Sequence, residues 1–152
     1  MLTKANKTID IDKRKISLNE VEEKLKPLGI EFGGRWSPSE CKSKFSVAII
    51  VPYRNREENL HIFLKHLHPF LIKQRVKYGI FLVEPIHSLI FNRGILMNIG
   101  FLESMKLDKR LNEWDCFIFH DTDLLPQNEL NIYSCDKTPK HMSSAVNVFN
   151  YK

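Results

Sequence analysis

The residues most able to do chemistry fall in three short polar clusters. Asp121-Thr122-Asp123 ends the apolar run Cys116-Phe117-Ile118-Phe119-His120. Two bare carboxylates on a tight turn can hold a hard divalent cation, and such a cation bridges phosphate oxygens. An Asp-x-Asp standing alone is more often a solvated turn whose Asp caps the following segment, but placed after an apolar strand and beside two basic clusters it reads better as a metal-dependent nucleotide-diphosphate site. Pro52-Tyr53-Arg54-Asn55-Arg56 places two arginines just before a predicted helix. Backbone N–H groups and the helix dipole favour anions there, so a diphosphate would be held, although arginines at a helix start are common on protein surfaces. The third cluster is Phe91-Asn92-Arg93. Tyr53 and Phe91 lie outside the periodic apolar pattern, where an aromatic face can stack on a nucleotide base. His120 reads as a core residue with one satisfied nitrogen, with metal ligation as the alternative.

These clusters converge only if the elements before them do. Ser46–Val51 is an apolar, β-branched run halted by Pro52, the form of a strand buried on both faces. Leu60, Phe63, Leu64, Leu67 and Leu71 then recur at helical spacing behind Glu57 and Glu58, with Pro69 expected to kink or split the helix. Tyr78–Glu84 reads as a second buried strand. A second helix starts near Asn92, its inner face carried by Leu96, Ile99 and Met105, and Asp115–His120 is a third strand. Phe63, Phe70, Phe81, Phe101, Phe117 and Phe119 all read as core. Strand, helix, strand, helix, strand at these spacings implies right-handed crossovers and a parallel sheet of the nucleotide-binding kind. Ligands of such sheets sit beyond the carboxyl ends of the strands, where all three clusters fall.

The first forty residues differ in texture. Ser17-Leu18-Asn19-Glu20 has the form of a capping box before a short charged helix ending near Pro27, and Gly33-Gly34 breaks the chain before Trp36. Residues 1–32 are therefore read as an extension that packs on a core it does not build, and 33–152 as the main unit.

With 152 residues, 43% of them hydrophobic and 27% charged, the chain suits one globular domain or part of a larger one and excludes disorder. Its longest apolar runs fall far short of the ~20 residues that span a bilayer. The polar, Lys-rich start is not a secretory leader, so a secretory version would need a different N-terminus. A net charge of +5 suits phosphate-bearing ligands but is too mild and too scattered to argue for nucleic acid. Cys41, Cys116 and Cys135 lack zinc-site spacing and leave open one pair plus one leftover. The sequon Asn6-Lys7-Thr8 decides nothing by itself.

From Gly33 to about Tyr151 the sequence resembles the β1,4-galactosyltransferases of glycosyltransferase family 7, together with their N-acetylgalactosaminyl- and xylosylprotein-transferring relatives. The resemblance is carried by Gly33-Gly34-Arg35-Trp36-Ser37-Pro38-Ser39-Glu40-Cys41, Val47-Ala48-Ile49-Ile50-Val51-Pro52-Tyr53-Arg54-Asn55-Arg56-Glu57, Phe91-Asn92-Arg93-Gly94, Asn98-Ile99-Gly100-Phe101 and His120-Asp121-Thr122-Asp123-Leu124-Leu125-Pro126. It implies an α/β fold of the GT-A, Rossmann-like type with a mostly parallel sheet, of which this chain holds the N-terminal, donor-binding half. It implies that Pro52, Tyr53, Arg54 and Arg56 contact the uridine and diphosphate of a UDP-sugar, and that Phe91 and Arg93 line the same pocket. Asp123 would be a ligand of Mn2+, with Asp121 and Thr122 against the ribose and donor sugar, Thr122 replacing the family's usual Val. Cys116 and Cys135 match a family disulfide, which implies an oxidising lumen, and the Golgi is the location the resemblance implies. Cys41 matches a half-cystine whose partner would lie upstream.

The implied reaction is an inverting displacement that moves galactose or N-acetylgalactosamine from UDP to a glycan acceptor such as one with terminal N-acetylglucosamine. Its Trp-Gly-Trp-Gly-Gly-Glu-Asp-Asp-Asp segment, which supplies the acceptor site and the base, does not occur before Lys152. Nor does the histidine that completes the metal shell, and Asn147-Val148-Phe149 stands where relatives usually read Asp-Lys-Phe. The chain by itself is therefore expected to lack transferase activity and to expose an apolar surface. A non-catalytic UDP-sugar-binding or partner-binding module is the rival reading.

Overall fold

The computed structural model describes residues 8–107 and 113–151; Asn6 and Lys7 of the sequon lie outside them. The chain runs α1 (Leu18–Leu25), β1 (Arg35–Trp36), β2 (Ser46–Pro52), α2 (Glu57–Lys73), β3 (Lys77–Val83), α3 (Arg93–Lys106) and β4 (Cys116–Phe119), with short 3-10 turns at Lys26–Leu28 and Asn147–Phe149. One four-stranded sheet has the order β1-β3-β2-β4. β2 is parallel to both neighbours, Ile49 lying opposite Ile80 on one side and Ile118 on the other. β1 adds an antiparallel edge through Arg35 opposite Gly79 and Trp36 opposite Tyr78. Two residues are too few to show a strand's periodicity, which is why β1 was not expected.

β2 is buried along its whole length because both faces are covered. Val47, Ile49 and Val51 pack with Phe63, Leu67, Phe70 and Leu71 of α2. Ala48 and Ile50 face the other way, with Trp114, Phe81, Val83 and Phe117. α2 continues unbroken through Pro69, so the expected split does not occur. Phe63 and Leu67 before the proline and Phe70 and Leu71 after it are buried in one cluster. That shared burial outweighs the single helical hydrogen bond a proline removes.

α3 begins where expected, with the Asn92 side chain accepting from the Ile95 N–H at 3.1 Å. Its inner face differs from the prediction. Leu96, Gly100 and Ser104 are buried, whereas Ile99 and Met105 are each 44% exposed. Gly100 lies so close to the sheet that a Cβ there would stand 2.4 Å from Ile50 Cγ2 and 2.7 Å from Val83 Cγ2. The missing side chain lets the helix backbone rest on the strands, and this turns the stripe of small residues inward and the larger apolar ones outward. β3 is only partly buried, with Leu82 exposed, because β1 covers its edge only at Tyr78 and Gly79. Phe119, expected in the core, is half exposed, since α3 packs mainly over β2 and β3 and reaches β4 at Phe117. Phe101 and Phe117 meet edge to face at 4.6 Å.

The capping box before α1 forms as read: the Glu20 N–H donates to Ser17 Oγ and the Ser17 N–H donates to Glu20 Oε2 at 2.8 Å. α1 packs on α2, burying Val21 and Leu25. The chain then turns at Gly33 and Gly34, both at positive φ, before Trp36 stacks on Tyr78 and donates its Nε1–H to the Leu28 carbonyl. Cys116 and Cys135 are joined in a disulfide that ties β4 to the loop behind it, and Cys41 is exposed and free. No helix among the described residues is long and apolar enough to cross a membrane.

Candidate functional site at the strand ends

After β2 the chain moves to β3 on one side, and after β3 it crosses to β4 on the other side of β2. The two crossovers place α2 and α3 on opposite faces, so the crevice beyond the carboxyl ends of β2 and β4 is a topological switch point, the usual ligand position in open α/β sheets. The loop after β2 carries Tyr53–Arg56 and the loop after β4 carries Asp121–Asp123. The start of α3 supplies Arg93 beside them.

Arg93 and Asp121 are brought into direct contact. The guanidinium donates from Nε to Asp121 Oδ1 at 2.7 Å and from Nη2 to Oδ2 at 2.8 Å, a two-point match of fork to carboxylate. This pair joins the start of α3 to the loop after β4 across 28 residues of sequence. One carboxylate of the Asp-x-Asp is therefore held by protein, while Asp123 is exposed to solvent and Thr122 between them is buried. Among the described residues no group of three His, Cys, Asp or Glu side chains is gathered as a metal cage. The donor set present, one open carboxylate oxygen pair on a strand-end turn, suits a hard cation whose remaining ligands come from elsewhere.

Arg54 reaches a different partner. Its Nη2 donates to the Leu89 carbonyl at 2.6 Å, and its guanidinium carbon lies 5.7 Å from the centre of the Phe91 ring. Among the described residues its Nε is buried without a partner. Of the two aromatics, Phe91 keeps an open face at 42% exposure, whereas Tyr53 is 8% exposed and its hydroxyl pKa is pushed up by burial. Pro52 closes β2, buried opposite Val83. Arg56 stands exposed as the residue before α2, and lines an open depression with Asn55, Glu57, Glu58 and Asn59. Asn55 takes a positive φ of 49°, which turns the chain from the strand end into that helix.

His120 is a core residue, but with both nitrogens engaged. Nδ1 lies 2.8 Å from the Asp121 carbonyl and Nε2 lies 2.7 Å from the Tyr133 hydroxyl. Burial pushes its pKa down and keeps the ring neutral. The sequence reading missed Tyr133, the Leu89 carbonyl, and the two α2-side staples of the following loop: His66 Nε2 against the Pro126 carbonyl at 2.8 Å and Gln74 bonded to Asn131 and Tyr133. None of these has a local signal, because each joins residues far apart in sequence.

A switch-point crevice rimmed by arginines and an Asp-x-Asp turn defines an open α/β domain of the Rossmann-like class, and comparison with known proteins narrows it. The pattern of the N-terminal region of glycosyl transferase group 7 matches residues 2–136. The chain belongs to that family. It is 47% identical to human beta-1,4-galactosyltransferase 4 over 119 residues, covering 78% of this chain and 33% of that protein. It is 44% identical to the Cricetulus griseus beta-1,4-galactosyltransferase 4 over 137 residues, covering 90% and 38%. Human beta-1,4-galactosyltransferase 6 is 40% identical over 144 residues, covering 94% and 37%. Among solved structures, a mutant of Drosophila beta-1,4-galactosyltransferase 7 in complex with manganese, UDP-Gal and xylobiose superposes with a TM-score of 0.54 at 33% identity, covering 62% of this chain and 37% of that one. The fold is thus that of the GT-A galactosyltransferase domains, and the chain spans about a third of the length of the curated relatives it matches.

Proposed function

We propose that this chain forms the donor-nucleotide side of a galactosyltransferase that moves galactose or N-acetylgalactosamine from a UDP-sugar to a glycan acceptor, such as one ending in N-acetylglucosamine. The observation that carries the reading is the Arg93–Asp121 clasp at the switch point, which sets the loop after β4 against the start of α3 and leaves Asp123 open. Arg54 and Arg56 face the diphosphate, Phe91 offers its open ring to the uracil, and Pro52 and Tyr53 form the floor beneath. Asp121 and Thr122 lie on the ribose and sugar side. Asp123 would hold Mn2+, which when bound neutralises charge on the diphosphate leaving group. The arginines do the same from the protein side, so the chain's part in an inverting displacement is stabilising the departing UDP. The chain's relatives and its disulfide support work in an oxidising lumen, with the Golgi as the proposed location.

Calorimetric titration of the chain with UDP, with manganese or with EDTA, tests this. UDP should bind only with manganese, and Asp123→Ala should weaken it at least ~10-fold. Equal binding in EDTA, or an unaffected D123A variant, would overturn the assignment. A transfer assay with UDP-galactose then separates a complete enzyme from a module that binds UDP without turnover.

A further inference from the structure

The turn that carries the Asp-x-Asp has no helix or ladder to hold it, since β4 ends at Phe119. Besides the Arg93 clasp on the Asp121 side chain, what holds it is one backbone carbonyl. The Asp121 C=O accepts from His120 Nδ1 at 2.8 Å and from the Leu124 N–H at 3.4 Å. Because a carbonyl only accepts, Nδ1 carries the proton, and a neutral ring then accepts at Nε2 from the Tyr133 hydroxyl at 2.7 Å. Tyr133 is itself fixed: it is 2% exposed, stacks on His120 at 5.9 Å with an interplanar angle of 21°, packs edge-on against Phe70, and donates its backbone N–H to Gln74 Oε1. Cys135, two residues on, is disulfide-bonded to Cys116 in β4. Phe63 of α2 closes the other side of the imidazole at 5.1 Å.

We propose that His120 and Tyr133 are positioning residues: the relay from the Tyr133 hydroxyl through His120 to the Asp121 carbonyl holds the turn in the shape that presents Asp123, and so sets its affinity for a divalent cation with a bound nucleoside diphosphate. Neither side chain touches the ligand. Both act through a carbonyl, as the outer partners of metal ligands commonly do, and loss of such a partner typically costs about 10- to 100-fold in metal affinity. The consequence for binding rests on the donor-site reading above; the positioning itself does not.

The test uses the whole chain and two readouts. Amide hydrogen exchange without ligand reports the turn directly, with the Leu124 N–H as the reporter and the β2 amides as the control. Tyr133→Phe removes one hydroxyl and keeps the ring. It should speed exchange across 121–124 at least ~10-fold while the β2 amides are unchanged, and weaken manganese-dependent UDP binding ~10- to 100-fold. His120→Asn, which keeps a donor for the Asp121 carbonyl, should restore most of what His120→Ala loses. Unchanged exchange at Leu124 in Y133F overturns the positioning. Faster exchange with unaltered UDP affinity overturns its role in binding. Acceleration spread equally over β2 would show a general loss of stability and also overturn the proposal. If the unmodified chain binds no UDP, the donor-site reading falls together with the consequence for binding, while the exchange rates still decide the positioning.

Discussion

Gly100→Ala should destabilise the protein even though alanine is the better helix former. The added Cβ would stand 2.4 Å from Ile50 Cγ2 and 2.7 Å from Val83 Cγ2, where ordinary contact begins at 3.4 Å. The shortfall is about 1 Å against Ile50, and both neighbours are β-branched side chains with little freedom to turn away. α3 must lift from the sheet or the strands must yield. Overpacking of this kind costs about 1–3 kcal/mol. Alanine returns up to about 1 kcal/mol of helix propensity relative to glycine. With two stiff contacts violated at once, the net loss should be about 2 kcal/mol, or about 4–8 °C in Tm for a chain of this size. Urea unfolding followed by circular dichroism measures it as a lowered midpoint at constant slope. Gly94→Ala in the same helix is the control: its Cβ meets only the Asn92 side chain at 3.6 Å, so its midpoint should stay level or rise, by up to about 1 kcal/mol, rather than fall. Because α3 also carries Arg93, G100A should loosen the clasp to Asp121 and weaken UDP binding as well. An unchanged or raised midpoint for G100A would refute the close approach of α3 on which the account of its inner face depends.

Burial of His68, bonded through Nδ1 to the Tyr78 hydroxyl at 2.6 Å, lowers its pKa from the ordinary 6.5 to about 4, and burial shifts His66 and His120 in the same direction. The unfolded chain therefore binds more protons than the folded one between those values. Stability should be complete above pH ~6.5 and fall as the pH drops towards 4, by up to about 3 kcal/mol from His68 alone. Urea midpoints at pH 7, 5.5 and 4.5 would show this, and a flat profile across that window would contradict it. Asp12, Glu20 and Asp115, whose pKa values are lowered by hydrogen bonds, add losses only at lower pH. Replacing Cys116 and Cys135 by serine opens a loop with a sequence separation of 19 and should cost about 3 kcal/mol; a midpoint indifferent to the double change or to reductant would refute that.

Much of the architecture is legible in local sequence because local physics decides it. A fully apolar, β-branched run closed by a proline makes Ser46–Pro52 a strand covered on both faces, and Ser17 with Glu20 forms its capping box from neighbours three residues apart. Polar residues directly after each apolar run mark the strand ends, and alternation of strand with helix places those ends on one edge of a parallel sheet. Tertiary structure alone decided the rest. The apolar pattern of α3 points to Ile99 and Met105, but contact distance to Ile50 and Val83 favours the residue with no side chain, and the helix turns to suit Gly100. Which carboxylate of the Asp-x-Asp stays open depends on Arg93, 28 residues away, and the shape of the turn depends on Tyr133, 13 residues on. The bond between Cys116 and Cys135, which the family resemblance implies but residue spacing leaves open, depends on where β4 and the loop behind it meet. Side-chain type sets what a residue is able to bond, but the partner it bonds is set by chain crossings that no local window contains.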